Sequence, residues 1–140
     1  MSAPRVAVDG LVRYRGKLVA VLRRNPPFQG VPALPGGFVE LGETCAAAVV
    51  REVREETGLR THVAKIVGVY SDPDRDPRGH VVSIAFALRV VGGRLRGGSD
   101  AAAILLLETG RVPRLAFDHT RIVRDFLTAS KRSSTGRRSP

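Results

Sequence analysis

The sequence predicts an α/β domain built on a mixed β-sheet. Three observations carry the prediction: β-rich segments lie on both sides of one strongly patterned helix, a second amphipathic stretch closes the chain, and Gly/Pro-rich breaks separate the elements. At 140 residues the chain is one ordinary domain with room for a real core.

The elements follow in order. "RVAVDGLVRY" and "KLVAVLRR" are β-rich and flank a short "RG" break, which predicts an antiparallel hairpin. "NPPFQGVPALPGG" is dense in Pro and Gly, so it reads as loop with a short extended piece around Ala33 and Leu34. Thr44 is a natural N-cap for a helix running to about Thr57, and Gly58 is a natural C-cap. Ala46, Val49, Val50 and Val53 recur at helical spacing and supply its expected buried stripe. "HVAKIVGVYS" and "HVVSIAFALRVV" read as strands around the charged, turn-rich "DPDRDPRG". "AAAILLLE" is too brief for periodicity to choose between strand and helix. "FDHTRIVRDFLTAS" predicts a closing helix with Ile122, Val123, Phe126 and Leu127 on one side.

Charge and composition narrow the function classes. The formal net charge is +10, and "KRSSTGRRSP" (131–140) carries four positive charges and no apolar residue. It is expected to be a basic, disordered tail, leaving +6 on a folded domain over residues 1–130. A basic surface attracts phosphorylated molecules, nucleic acid or anionic membranes, and the sign alone does not choose. The longest apolar run, Ala101 to Leu107, falls far short of the ~20 residues of a membrane-spanning helix. The N-terminus lacks the pattern of a secretory signal, and a single cysteine, Cys45, excludes an internal disulfide. A cytoplasmic protein without a membrane partner is expected.

Against that basic background, "GGFVELGETCAAAVVREVREETGL" gathers five of the chain's thirteen acidic residues. Glu52, Glu55 and Glu56 stand at i, i+3 and i+4, so a helix projects their carboxylates together. A solvated acidic face is the plain reading of "ExxEE" alone. A hard divalent cation would turn the repulsion into ligation, since Mg²⁺ takes few carboxylates and keeps water and phosphate oxygens.

The wider pattern resembles the Nudix box of the Nudix hydrolase family. Gly37, Glu43, Arg51, Glu52, Glu55, Glu56 and Gly58 stand at its fixed positions, with Val53 and Leu59 at its bulky apolar ones. Seven such matches in a preset register have a chance probability of roughly 10⁻⁸. The resemblance implies an α/β/α sandwich with a mixed sheet. It implies Mg²⁺, or Mn²⁺, held by Glu52, Glu55, Glu56 and the carbonyl of Gly36, with Arg51 and Glu43 orienting the glutamates. Catalysis would fall to Glu52, Glu55, Arg51 and Asp100, with Asp100 matched to an acidic position that often supplies a further ligand or base.

"YSDPDRDPRGHVVSIAF", with Pro73 fifteen residues beyond Gly58, is similar to the loop of small bacterial and archaeal ADP-ribose pyrophosphatases, as are "RRNPPFQG" and "LAFDH". This likeness implies a nucleoside diphosphate-type substrate, most simply ADP-ribose cleaved to AMP and ribose 5-phosphate, and a homodimer. Arg23, Arg24, Arg75 and Arg78 are then candidate contacts to phosphate or ribose, because guanidinium suits oxyanions. Phe28 and Phe117 are candidates to flank a base, or else pack in the fold. Pro32, Ala103 and Leu106 replace residues common in the group, which leaves open another Nudix specificity, for nucleoside triphosphates or dinucleotides. A non-catalytic sensor of ADP-ribose-type ligands is the alternative from another class, and the complete set of box glutamates argues against it. No specific nucleic-acid partner is expected. His62, His80 and His119 form no zinc spacing, and His119 reads as a hydrogen-bonding residue at a helix end.

Overall fold

The structure, a computed structural model, describes residues 3–96 and 101–136. Strands β1 (Arg5–Tyr14) and β2 (Lys17–Arg23) form the expected hairpin, with Arg13 opposite Leu18. Its two turn residues, Arg15 and Gly16, both take left-handed φ values of 54° and 79°. Such a turn matches the twist of its strands, and Gly16 enters it without steric cost. The Pro/Gly-rich segment yields two short strands, β3 (Pro32–Ala33) against β2 and β4 (Gly36–Phe38) against β1.

Helix α1 (Cys45–Thr57) has the predicted caps. Thr44 Oγ1 accepts the Ala47 N–H at 3.1 Å, and Gly58, at φ 79°, donates its N–H to the Arg54 carbonyl at 2.9 Å. The buried stripe differs from the expected one: Ala48, Val49, Val53 and Thr57 are buried and Val50 packs partly against them, while Ala46 is exposed. Periodicity defines neighbouring stripes on this Ala/Val-rich helix; docking against the sheet chooses between them.

Strand β5 (Leu59–Tyr70) runs antiparallel to β6 (Val81–Gly93), and β6 lies parallel to β1 with Arg5 opposite Val81 and Val12 opposite Leu88. That parallel pair makes the sheet mixed, as predicted, with path β3-β2-β1-β6-β5. The apolar run that periodicity left undecided is strand β7 (Ala101–Leu107), antiparallel to β2 from Leu18↔Leu107 to Leu22↔Ala103. Helix α2 (His119–Gly136) buries Ile122, Val123 and Phe126. It extends into the segment expected to be a disordered tail, so residues 131–136 are helical. Nothing between Lys131 and Thr135 breaks a helix already anchored by packing.

Strand alternation sorts the core onto the two faces. Val8 and Val12 of β1, Val19 of β2 and Phe86 of β6 pack with Val49 and Val53 of α1. Leu11, Leu18, Ala85 and Ala87 pack with Ile122, Val123 and Phe126 of α2. The result is the α/β/α sandwich. Among the described residues no helix is long and apolar enough to cross a membrane.

Candidate active site

Strand β4 brings the Gly36–Gly37 backbone between the central strand β1 and helix α1, with Gly36 opposite Asp9 and Gly37 opposite Val8. Glycine is required at both positions. A Cβ on Gly37 would lie 2.6 Å from the Glu52 carboxyl carbon, and one on Gly36 would lie 2.8 Å from Asp9 Oδ1. Glu52 therefore presses directly on bare backbone, and Glu56, one turn on, accepts the Gly36 N–H at 2.8 Å.

Arg51 organises the opposite side. Its Nε and Nη2 donate to the two Glu43 oxygens at 2.6 and 2.9 Å, and Nη1 donates to Glu52 Oε1 at 2.7 Å. Nη2 also reaches the Phe38 carbonyl at 3.3 Å, tying α1 to the end of β4. The Arg51 guanidinium holds Glu43 down at about 2, helped by the Glu40 N–H. Glu52 moves upward because burial outweighs Arg51. Glu56 is pushed up to about 8, by burial first and then by Glu52, Asp9 and Glu55, against the lowering effect of the Gly36 N–H.

Two carboxylates thus share a half-buried wall on which negative charge is under-compensated. That oxygen-donor chemistry fits a hard divalent cation. The expected set is only partly assembled, however. Glu55 is exposed and accepts from Arg51 Nη1 at 3.3 Å, the same nitrogen that holds Glu52 Oε1. Among the described residues no three Asp, Glu, His or Cys side chains converge in a ligating group. Asp100 lies outside the described residues.

The Glu56 end of this wall opens onto a cleft of about 200 Å³. Gly36, Gly37 and Glu56 line one side; Arg23, Arg24, Arg75 and Arg78 line others. Arg23 donates from Nε to the Pro27 carbonyl at 2.7 Å, and its guanidinium stands 4.9 Å from the Phe117 ring. Arg78 grips Asp76 through Nε and Nη2, at 3.0 and 2.7 Å, and sits between the Phe38 and Phe117 rings. Arg75 is buried and bidentate to Asp118, at 2.6 and 2.9 Å, so its guanidinium is already engaged within the fold. Phe28 packs edge-on against Phe117 at 4.9 Å, and Phe117 is the ring that faces the cleft. Both phenylalanines have left-handed backbones, φ 61° and 54°, a strain that bulky residues rarely carry and that clusters at functional sites.

Sequence reasoning missed the buried floor of this cleft. Asp9 accepts from Ser83 Oγ and pairs with His119 Nε2 at 3.3 Å, while His119 Nδ1 accepts the Leu34 N–H at 3.0 Å. Burial pushes Asp9 upward, yet His119, Ser83 and Arg75 together hold it below the usual carboxylate range. His119 is the hydrogen-bonding residue the sequence suggested, with a structural reach that joins α2, β1 and the β3–β4 turn. The available signal was an aspartate alone in the apolar strand "VAVDGLV".

Residues 3–126 match the NUDIX domain family. The chain belongs to the Nudix hydrolases. It is 53% identical over 124 residues to the ADP-ribose pyrophosphatase of Methanocaldococcus jannaschii, covering 89% of this chain and 73% of that protein. It is 38% identical over 108 residues to a MutT-like protein of Streptomyces ambofaciens, covering 76% and 66%. Among solved structures, the bifunctional NMN adenylyltransferase/ADP ribose pyrophosphatase of Francisella tularensis, complexed with AMP and a Mn ion, superposes with a TM-score of 0.78. The identity is 26%, over 92% of this chain and 42% of that one. Nudix hydrolases use divalent metals, which accords with the donor chemistry of the Glu52–Glu56 wall of this Nudix helix.

Proposed function

We propose that the protein hydrolyses the pyrophosphate bond of ADP-ribose with Mg²⁺, giving AMP and ribose 5-phosphate. The observation that carries this reading is the Glu52–Glu56 pair pressed on the Gly36–Gly37 backbone at the mouth of an arginine-lined cleft. The 53% identity to an ADP-ribose pyrophosphatase supports the choice of substrate.

Glu52, Glu56 and the Gly36 carbonyl would hold the metal, and Glu55 would join after leaving Arg51. A bound divalent cation supplies charge neutralisation at the diphosphate and lowers the pKa of water. Arg51 fixes Glu52 from behind, so that carboxylate enters the reaction already oriented. Arg23, Arg24 and Arg78 supply positive charge around the diphosphate, and Phe117 offers a ring face to the base. Water adds to one phosphorus as the bridging P–O bond breaks; Glu52 takes the water's proton, and the departing phosphate ester carries away the bridging oxygen. Asp100 is the further candidate for ligand or base. A homodimer belongs to the same reading: Ile66 and Val69 are exposed on the edge strand β5. Light scattering should give twice the chain mass, and a monomer would remove this part.

The deciding experiment incubates the protein with ADP-ribose, dinucleotides, and ordinary and oxidised nucleoside triphosphates, with Mg²⁺ and then with chelator. AMP released fastest from ADP-ribose, only with metal, is the expected result. Preference for a triphosphate would move the substrate within the family, and tight ADP-ribose binding without turnover under any metal would make the domain a sensor.

A further inference from the structure

A second hollow, about 690 Å³, lies where the C-terminal end of α1 meets the start of β5 and the end of β6. Its walls carry Arg54, Arg60, Arg94 and Arg96, with Glu55 the one carboxylate among them. Glu55 is itself held by Arg51. Among the described residues, none of the four guanidinium groups has an ion pair or a side-chain hydrogen bond. Grouping like charges is unfavourable to folding unless an anion enters.

The hollow has a built floor. Arg60 lies flat over Gly92, where a Cβ would meet its Nε at 3.1 Å, and the Arg96 stem lies 3.0 Å from where a Gly58 Cβ would stand. Gly58 and Gly93 take left-handed φ values of 79° and 87°. Glycine thus leaves these guanidinium stems resting on bare backbone. Favourable placement of cations at a helix C-terminus is the simpler explanation. It is weakened because backbone groups already occupy the last carbonyls: Gly58 N–H on Arg54 at 2.9 Å and Arg96 N–H on Thr57 at 2.7 Å. The arginine side chains are not needed as caps.

We propose that this hollow binds a compact, multiply charged phosphoryl anion of the inorganic polyphosphate type, at a site separate from the catalytic cleft. Guanidinium forks match phosphate oxygens in pairs, and a concave site holds a compact anion better than a passing strand. The volume admits several phosphoryl groups.

The probe is tripolyphosphate added to the full chain in EDTA, followed by amide NMR and calorimetry. Backbone amides of Gly58 and Gly93 should shift and saturate together. R60Q/R94Q should abolish those shifts and weaken that binding event by about tenfold or more, whereas R78Q, in the cleft, should leave them in place. Unmoved Gly58 and Gly93 amides at saturating probe would overturn the proposal, as would an unchanged isotherm in R60Q/R94Q. So would a single-stranded oligonucleotide that moves these amides where tripolyphosphate does not, since the surface would then belong to nucleic acid. The shift map is read on the wild-type chain, so it decides the question even if the double variant fails to fold.

Discussion

The two walls of the cleft treat charge in opposite ways. On the α1 wall, Glu52 and Glu56 share one arginine and one backbone N–H, and both carboxyls are raised. On the wall built by residues 72–79, both arginines already have carboxylate partners: Arg75 with Asp118, and Arg78 with Asp76. The first wall is left wanting a cation. On the second, Arg75 is engaged within the fold and scaffolds the cleft, while Arg78 holds Asp76 through Nε and Nη2 with Nη1 outside that pair. A cluster of charge is therefore informative through its imbalance more than through its size.

The largest effect is expected at Glu52. Glu52→Gln should lower turnover about a thousandfold while leaving the circular dichroism spectrum and melting temperature near wild type; turnover within a few-fold of wild type would remove Glu52 from the chemistry. The second wall should fail differently. Arg75→Ala leaves Asp118 and buried Asp9 without their guanidinium, and should destabilise the fold by about 3 kcal/mol in urea titration. A stable variant with only a raised KM would make Arg75 a substrate contact after all.

The smallest effect concerns pH. Glu56 titrates at about 8 in the metal-free fold, above the ordinary 4.5, so the folded state keeps a proton that the unfolded chain loses. Its contribution is full below pH 4.5 and is lost as pH rises through 8. In EDTA, stability should fall by about 2 kcal/mol across that window once solvent access to the half-buried carboxyl is allowed for. Glu56→Gln should flatten the slope, and an unchanged slope would place the titration elsewhere.

Much of this was legible in the chain because it is encoded locally. Thr44 and Gly58 delimit α1 through contacts within a turn of themselves, and the hairpin signals at Arg15–Gly16 are equally short-range. The box residues were legible because one helix face and one adjacent glycine pair hold them. What stayed hidden depends on distant partners. Strand β7 is a strand because β2 pairs with it; Ala48 replaces Ala46 because of how α1 docks. Asp9 and His119 meet only after the whole sheet has formed. Helical spacing alone also does not show that Arg51 Nη1 reaches Glu55, at 3.3 Å.

The parallel pairing of β1 with β6, Arg5 opposite Val81, has a kinetic consequence. It closes a loop of roughly 75 residues, an entropic demand met only late, and long-range parallel pairing is intrinsically slow. Since β1 carries Asp9 and backs Gly36, a nascent chain that has emerged only as far as the glutamate helix holds every box residue and still has no working pocket. Catalytic competence arrives with the second half of synthesis.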